Sequence, residues 1–394
     1  MPTNAPARTL QSMGSLLSNL KNFRSRYPAK QVRHPELLTM EQLYGCFYKY
    51  ARHLISAQPN ENNISLESRK MAESELKVLI PLSTDFKARL NMTDSNGNIR
   101  MGRLLEAIDI VAPCACYMLN RKDLNLKTFE TGTLPRMFVT ARFHQISLSH
   151  GHGLSPYRDI LLRGKVTWTN ENNAEATVHV IQNNSEFFSA RLVFSSLDGT
   201  NTSKRLPTNQ LLSTTPMEKF LNQQRHIANT RQPVTPELGA IEFPVVKKEE
   251  LPMSSTRVET ISETQPEHEN PYGSVFGGFL IRKGLETAQI CATMFAKSSV
   301  CVDSIDDAEF LKVVEIGSIL KFSSFVCTVN NSKQEFQIIS QVEVYNSDTN
   351  TFEICDRFLF TFKTKEEINL PQVVAHNMQE VVAQWKARNI ARTI

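Results

Sequence analysis

Residues 101–118 read MGRLLEAIDIVAPCACYM, and apolar side chains occupy nearly every face of the helix that this stretch predicts. Glu106 and Asp109 interrupt the apolar surface. A helix that is apolar all round has no face to offer water, so it is expected to be buried. Pro113 is expected to kink this helix or to end its regular part, because proline lacks the amide hydrogen and its ring clashes with the preceding turn.

A second helix of the same kind is predicted over residues 277–295, GGFLIRKGLETAQICATMF. About four strand-like segments follow each helix. They lie at 137–143, 159–168, 176–180 and 187–197 after the first, and at 299–313, 318–329, 336–344 and 352–362 after the second. One buried helix followed by several strands therefore occurs twice, which indicates internal duplication. Because such a helix has no solvent face, a sheet must wrap around it. We predict the α+β class, with two such units in tandem.

The remaining segments set the predicted domain boundaries. The stretch 36–80 is predicted to be helical, because its apolar residues from Met40 to Leu54 fall on one stripe. Residues 201–255 are rich in Thr, Pro, Gln and charge, with a helical piece at 216–228. We therefore predict an N-terminal helical extension at 36–74, a first unit at 75–200, a linker at 201–255, a second unit at 256–370 and a C-terminal extension at 371–394.

The first 35 residues contain no Asp or Glu, carry six Lys and Arg residues, and space their apolar residues as a helix does. This composition is typical of a mitochondrial transit peptide, and a basic tail is the alternative. The chain as a whole has a net charge of only +4. We expect no nucleic-acid partner. No apolar run is long enough to predict a membrane-spanning helix.

Cysteine and histidine patterns give no strong metal motif. The seven cysteines are odd in number and lie mostly in apolar runs, which favours reduced, buried thiols over a disulfide framework. Cys114 and Cys116 form a C-x-C pair without a second ligand pair, so small core residues are the favoured interpretation. The tract containing His150 and His152 is interpreted as a glycine-rich turn, with a metal site as the less favoured alternative. We predict no bound metal.

Residues 265–280, QPEHENPYGSVFGGFL, combine features from which a chemical site can be built. Asn270 opens an Asn-Pro-Tyr-Gly turn, and Gly277 and Gly278 begin the second buried helix. A helix start offers unpaired N–H groups and the positive end of the helix dipole, and glycines let a ligand approach the backbone closely. The stretch is suited to polarising a carbonyl oxygen or holding an anion. A glycine-rich helix entry that serves packing alone is the alternative.

The run PEHENPYGSVFGG resembles the P-x-D-x-N-x-x-G-x-x-x-G-G pattern of the hotdog acyl-coenzyme A (acyl-CoA) thioesterases. VCVDSIDDAEFLKVVEIGSIL and RFLFTFKTK, later in the second half, are similar to the same family. In the first half, RMGRLLEAID resembles the R-x-G-R-x-L-E-x-L-D of the mitochondrial acyl-CoA thioesterase 9 and 10 group. The resemblance covers roughly residues 75–370, and separate motifs in both halves carry it.

The resemblance implies two tandem hotdog domains, each a long central helix wrapped by an antiparallel sheet. It also implies hydrolysis of a fatty acyl-CoA to a free acid and coenzyme A, with coenzyme A as part of the substrate and no retained cofactor. In this family the site lies between paired hotdogs, one supplying an Asn and the other an acid. Carried onto this chain, the Asn is Asn270 and the acid is Asp109 or Glu106. The implied setting is the mitochondrial matrix, and a homo-oligomer of such pairs is expected.

Other residues enter as candidates around this site. The Gly278 amide is the expected donor to the thioester oxygen, next to Gly277. Asp109 would activate water or attack directly, and its pKa should be raised by burial. His268 would touch substrate, and Arg282 and Lys283 would reach the phosphates of coenzyme A; a solvated helix edge is the alternative for that basic pair.

The first half departs from the pattern. Met101 and Gly102 stand where the pattern has two glycines, and the counterpart of Asn270 is expected near Ser95 and Asn96. The second helix carries Glu286 without a clear Asn to oppose it. We therefore predict one competent site rather than two.

Two other functions remain open at this stage: a hotdog enoyl-CoA hydratase, and a non-catalytic acyl-CoA-binding or scaffold protein. The hydratase would need a His and an Asp on one motif, where this chain offers Asn270. A serine hydrolase and a phosphate-loop nucleotide-binding protein are disfavoured, because neither a G-x-S-x-G nor a G-x-x-x-x-G-K-[ST] motif occurs.

Overall fold

The computed structural model describes residues 37–45, 66–120, 136–148, 153–198, 204–230, 250–270 and 272–390. The predicted leader and the His150–His152 tract lie outside these residues. The α-helices that lie wholly within these residues are α1 (Phe86–Met92), α2 (Met101–Leu119), α3 (Pro216–Thr230), α4 (Gly277–Ala296) and α5 (Met378–Ile390). Sixteen strands occur in the described part of the chain: β1 (Leu38–Thr39), β2 (Ser68–Lys70), β3 (Leu76–Ile80), β4 (Arg136–Phe143), β5 (Ile146–Ser147), β6 (Ile160–Thr169), β7 (Asn173–Gln182), β8 (Ser185–Asp198), β9 (Gln210–Leu212), β10 (Glu250–Pro252), β11 (Val258–Glu263), β12 (Val300–Phe310), β13 (Ile319–Asn330), β14 (Glu335–Asn346), β15 (Thr351–Thr364) and β16 (Gln372–Val374).

One large sheet runs through both halves of the protein, and its strand order repeats. The order is β1-β3-β6-β7-β8-β4-β12-β15-β14-β13-β11, with β5 pairing β12 off this path. The five strands β3, β4, β6, β7 and β8 of the first repeat correspond to β11, β12, β13, β14 and β15 of the second. The two sets meet where β4 and β12 pair antiparallel, with Phe143 opposite Ala308. The chain is therefore α+β, and its two halves are related by an approximate twofold at the β4–β12 junction.

Each repeat buries one central helix against one face of this sheet. In β7 the side chains of Ala174, Ala176, Val178 and Val180 are fully buried, and β7 packs against α2. The intervening Glu175 lies on the opposite face, where Arg225 and Asn229 of α3 contact it. The central helices thus lie on the inner face of the sheet, and α3 covers part of the outer face of the first repeat.

The two central helices pack directly on each other near their N-terminal ends. A Cβ atom on Gly102 of α2 would lie 2.9 Å from Cγ of Arg282, and one on Gly278 of α4 would lie 3.0 Å from Cα of Glu106. Glu106 and Arg282 form an ion pair of 3.1 Å at this contact. Glycine at the second residue of each helix therefore lets the two helix starts come close together.

Two predictions about secondary structure were wrong in part. Pro113 neither ends nor interrupts α2, which runs on to Leu119. Burial of this helix on all sides stabilises it enough to outweigh the missing hydrogen bond. In the stretch 36–80 the predicted helix is present at 40–45, whereas 66–80 contain the strands β2 and β3 and a 3-10 helix at Met71–Ser74; residues 46–65 lie outside the described residues. The alternation of Leu76, Val78 and Ile80, all buried, is the strand pattern that the helical interpretation missed.

None of the helices in the described ranges is both long enough and apolar enough to cross a membrane.

Candidate active site

The side chain of Asn270 holds the loop that leads into α4. Its Oδ1 accepts hydrogen bonds from the backbone amides of Tyr272 (2.8 Å) and Ser274 (3.1 Å). Gly273 has a positive φ of 84°, which glycine adopts without strain. The loop closes through Phe276, whose amide donates to the carbonyl oxygen of His268 at 2.9 Å. Because the Asn270 oxygen is committed to this loop, its Nδ2 group is the part available to another molecule.

Helix α4 begins at Gly277, and its two glycines have different surroundings. Gly277 lines a cavity, and a Cβ atom there would lie 3.3 Å from Oδ2 of Asp109. Gly278 is packed between the Phe276 ring and α2, so it faces protein on both sides. The Gly278 amide acts on the Asp109 carboxyl and lowers its pKa. Gly277 therefore lines this cavity, and Gly278 does not.

Asp109 is a buried carboxylic acid in the middle of α2, with 1% of its surface exposed. The Thr140 hydroxyl donates to its Oδ1 at 3.0 Å. Its Oδ2 has no hydrogen-bond partner within the described ranges. Burial raises the pKa of Asp109 from 3.8 to about 7, although the Thr140 hydroxyl and the Gly278 amide act in the opposite direction. A carboxyl with a pKa near neutrality can accept a proton under physiological conditions.

Asp109, Asn270 and Gly277 line one cavity of about 160 Å³. The first repeat contributes Asp109 from α2 and Thr140 from β4, and the second contributes Asn270 and Gly277. The remaining wall is mainly apolar and includes Pro113, Met137, Phe138, Val139, Val275, Phe276, Leu280, Phe310, Leu311, Val313 and Val314. The cavity therefore combines one buried acid and one helix start in an apolar pocket that neither repeat forms alone.

The other candidate residues lie outside this cavity. Glu106 pairs with Arg103 at 2.7 Å and with Arg282 at 3.1 Å. His268 stacks on Phe279, with ring centroids 3.9 Å apart, and burial lowers its pKa. Glu106 and His268 line a different cavity of about 380 Å³.

Arg282 and Lys283, the predicted basic pair, have different surroundings on α4. The Arg282 side chain is 9% exposed and is paired with Glu106 and Glu286, so its guanidinium holds the two helices together. Lys283, half-buried on the same helix, lines none of the cavities described here. Neither side chain is presented to the cavity that contains Asp109.

The counterpart of Asn270 in the first repeat is Asp94, which lies directly before the Ser95–Asn96 pair near which it was expected. Asp94 Oδ1 accepts hydrogen bonds from the amides of Asn96 and Asn98, both at 2.9 Å, and Gly97 has a φ of 81°. This loop borders a second cavity of about 460 Å³, which Gly102, Leu285 and Glu286 also line. Leu285 stands where the other helix has Asp109, and Glu286 is ion-paired with Arg100. The second cavity therefore has no acid in the position of Asp109.

Two residues of the cavity were missed by the analysis of the sequence. Thr140 lies in β4 next to a break in its pairing with β8, and such irregularities redirect side chains. Tyr272 lies inside the Asn270 loop, lines the cavity, and has a buried hydroxyl without a hydrogen-bond partner among the described residues. The alternation of β4 predicted a strand, but nothing local to the sequence marked Thr140 as the residue facing Asp109.

Comparison with known proteins finds similar thioesterases. The chain is 27% identical over 336 residues to the mitochondrial acyl-coenzyme A thioesterase 9 of Mus musculus, covering 77% of this chain and 74% of that protein. It is also 27% identical over 337 residues to the chloroplastic acyl-coenzyme A thioesterase 2 of Humulus lupulus, covering 77% and 75%. Among solved structures, an acyl-ACP thioesterase from Bacteroides thetaiotaomicron matches with a TM-score of 0.45 and 16% identity, covering 75% of this chain and all of that chain. No protein-family model matches the chain.

Proposed function

We propose that this protein hydrolyses acyl-CoA thioesters and that its two repeats are tandem hotdog domains. The similarity to the mitochondrial acyl-CoA thioesterases 9 and 10 supports this proposal. The products are a free fatty acid and coenzyme A. The reaction takes place at one composite site, the cavity shared by the two repeats. Coenzyme A enters as part of the substrate, and neither a metal nor a retained cofactor takes part.

The observation that carries this proposal is the position of Asp109 opposite the start of α4. Its Oδ2, which has no hydrogen-bond partner in the described part of the chain, faces Gly277, and Gly277 lines the same cavity as Asn270. A thioester whose carbonyl oxygen points at the Gly277 amide would have its carbonyl carbon near this carboxyl. The acid and the electrophile would then be held in one pocket, which is the arrangement that acyl hydrolysis requires.

The reaction follows from these groups. The Gly277 amide and the Asn270 Nδ2 group donate to the carbonyl oxygen, whose negative charge grows as the tetrahedral intermediate forms. Asp109 accepts a proton from the attacking water, whose oxygen bonds to the carbonyl carbon. The intermediate then collapses, the carbon–sulfur bond breaks, and the sulfur leaves as a thiolate that takes up the proton. Direct attack by the Asp109 carboxylate, followed by hydrolysis of the anhydride, is the alternative sequence of steps.

The setting follows from the relatives. We propose a mitochondrial location, specifically the matrix, because the matching mammalian thioesterases are named as mitochondrial. We also propose that pairs of repeats assemble further into a homo-oligomer. Fractionation of cells that express the full chain, and sedimentation of the purified protein, would test these two statements.

The central test measures thiol release from acyl-CoAs of several chain lengths by the wild-type protein and by Asp109→Asn. Removing the base should lower kcat by about 10²- to 10⁴-fold. Glu106→Gln is the matched control, because it neutralises a carboxyl one turn away on the same helix that does not line the cavity. Its kcat should stay within a few-fold of wild type. Full activity in Asp109→Asn would reject the site, and no thiol release from any acyl-CoA would favour a binding protein.

Hydration of an unsaturated acyl-CoA can be measured in the same samples. Loss of the enoyl absorbance without release of thiol would identify a hydratase instead.

A further inference from the structure

Building on the proposed thioesterase function, we infer that this site selects short acyl chains, because Tyr117 and Phe138 close the far end of the acyl cavity. The acyl chain would enter a slot between α2 and β4. Asp109 marks the reactive end of this slot, and the two aromatic rings mark its closed end.

The slot follows from the periodicities of its two walls. Asp109, Pro113 and Tyr117 are spaced by four residues, so they lie along one side of α2. Phe138 and Thr140 are two residues apart in β4, so they point to the same face of the sheet. Thr140 bonds to Asp109 at one end of the slot, and Phe138 contacts Tyr117 at the other.

The closed end is held rigidly in place. The Tyr117 and Phe138 rings meet edge to face, with centroids 5.0 Å apart and an interplanar angle of 76°. The Phe138 amide also donates to the Tyr117 hydroxyl at 3.1 Å. Both residues are buried, at 2% and 4% exposed. Phe138 lines the cavity and Tyr117 backs it, so the pair forms a wall that an acyl chain cannot displace cheaply.

Hydrogen-bonded polar groups lie behind this wall. Arg136 donates to Asn120 Oδ1 at 2.7 Å, and Asn209 Nδ2 donates to the carbonyl oxygen of Leu119 at 2.9 Å. A hydrocarbon chain that reached this region would separate these groups without replacing their hydrogen bonds. Among the described residues, hydrogen-bonded polar groups therefore lie behind Tyr117 where the slot would otherwise continue.

The length of the slot sets the expected limit on the substrate. Thr140, which bonds to Asp109, and Phe138, which forms the wall, are two residues apart in β4, so they are separated along the strand by roughly 7 Å. An extended chain advances about 3.5 Å for every three bonds. About six carbon–carbon bonds therefore fit between the reactive end and the wall. Acyl groups of up to about six carbons should fit, in agreement with the small volume of the whole cavity.

The test is a chain-length series of acyl-CoAs with two to sixteen carbons, with thiol release as the readout. In the wild-type protein, kcat/KM should fall by about 10- to 100-fold between the six- and twelve-carbon substrates. Phe138→Ala should raise the ratio of twelve- to six-carbon activity by about tenfold, because the slot is lengthened. Phe138→Leu, a milder change that preserves more of the packing, should move the ratio in the same direction.

Phe322→Ala is the control, because it removes the same ring from a fully buried position in β13 that does not line the cavity. Its ratio should equal that of wild type. Equal activity of the wild-type protein on six- and twelve-carbon substrates would overturn the inference and leave the thioesterase proposal intact. An unchanged ratio in both Phe138 variants would also overturn it. Absence of thiol release at every chain length would instead reject the thioesterase function itself.

Discussion

Asp94 and Asn270 occupy the same position in two copies of one loop. Each side-chain oxygen accepts hydrogen bonds from the amides two and four residues later, and each loop turns on a glycine with positive φ. The loops are alike, but the helices that they face are not. The Asn270 loop faces Asp109 of the other repeat, whereas the Asp94 loop faces Leu285. The difference between the two cavities therefore lies in the opposing helix more than in the loops.

This pairing predicts unequal effects of two matched substitutions. Asn270→Ala and Asp94→Ala each remove two loop hydrogen bonds, so their costs in stability should be similar. Only Asn270→Ala should lower kcat strongly, by about 10²- to 10³-fold, because only it removes a donor to the reacting carbonyl. Thiol release and thermal unfolding of both variants would check this. A comparable loss of kcat in Asp94→Ala would mean that the second cavity is also catalytic.

The pH dependence should report the ionisation of Asp109. Its pKa of about 7 means that the base is protonated, and inactive, at lower pH. The kcat/KM should therefore rise about tenfold per pH unit below this value and level off above it. Thr140→Val removes a hydrogen bond that favours the charged carboxylate, so it should move the midpoint to higher pH. A midpoint that stays in place, or moves down, would exclude Asp109 as the titrating base.

The ionisation of Asp109 should also lower the free energy of unfolding, although it raises activity. The folded pKa of Asp109 lies above its ordinary value of 3.8, so the folded state binds a proton that the unfolded state releases between pH 4 and 7. Stability from this group is therefore lost as pH rises through that window. Asp109→Asn has no carboxyl to titrate at this position. The free energy of unfolding of this variant should therefore exceed that of the wild-type protein by more at pH 8 than at pH 5, and the two differences should themselves differ by about 1–3 kcal/mol. Urea unfolding at both pH values measures the difference. An equal effect at the two values would mean that burial does not perturb this carboxyl.

The parts of the structure that the sequence predicts are those governed by local periodicity. The two apolar helices and the alternating strands that follow them are visible as patterns in the sequence, and the helix at Pro216–Thr230 lies where a helix was expected at 216–228.

The choice between Glu106 and Asp109 could not be made from the sequence, because it depended on which side of α2 meets the other repeat. Residues three apart on a helix differ by about 60° in direction, so one of them pairs with Arg282 and the other faces the cavity.

The contribution of Thr140 could not be predicted for a related reason. Its neighbours in β4 alternate in the same way, and only the break in pairing after Thr140 and the approach of α2 distinguish it. The sequence placed the counterpart of Asn270 only near Ser95 and Asn96, because the Asx-type loop is defined by its hydrogen bonds, and these identify Asp94. Catalytic roles for Asn270, Gly277 and Asp109 stay predictions until variants are assayed.

The glycines at the starts of α2 and α4 should separate effects on packing from effects on catalysis. In Gly278→Ala the new Cβ would lie 3.0 Å from the Glu106 Cα atom and 2.5 Å from the Phe276 ring, and a backbone neighbour yields little. This variant should lose about 1–3 kcal/mol of unfolding free energy. Gly102→Ala is its counterpart in α2, but the new Cβ meets the flexible Cγ of Arg282 first, so the loss of unfolding free energy should be smaller.

In Gly277→Ala the new Cβ meets Asp109 Oδ2 and the Phe310 ring at 3.3 Å, so this variant should reduce kcat while lowering stability less than Gly278→Ala. Chemical unfolding and thiol release on all three variants test this order. A Gly277→Ala protein with wild-type kcat would show that the thioester does not approach the start of α4.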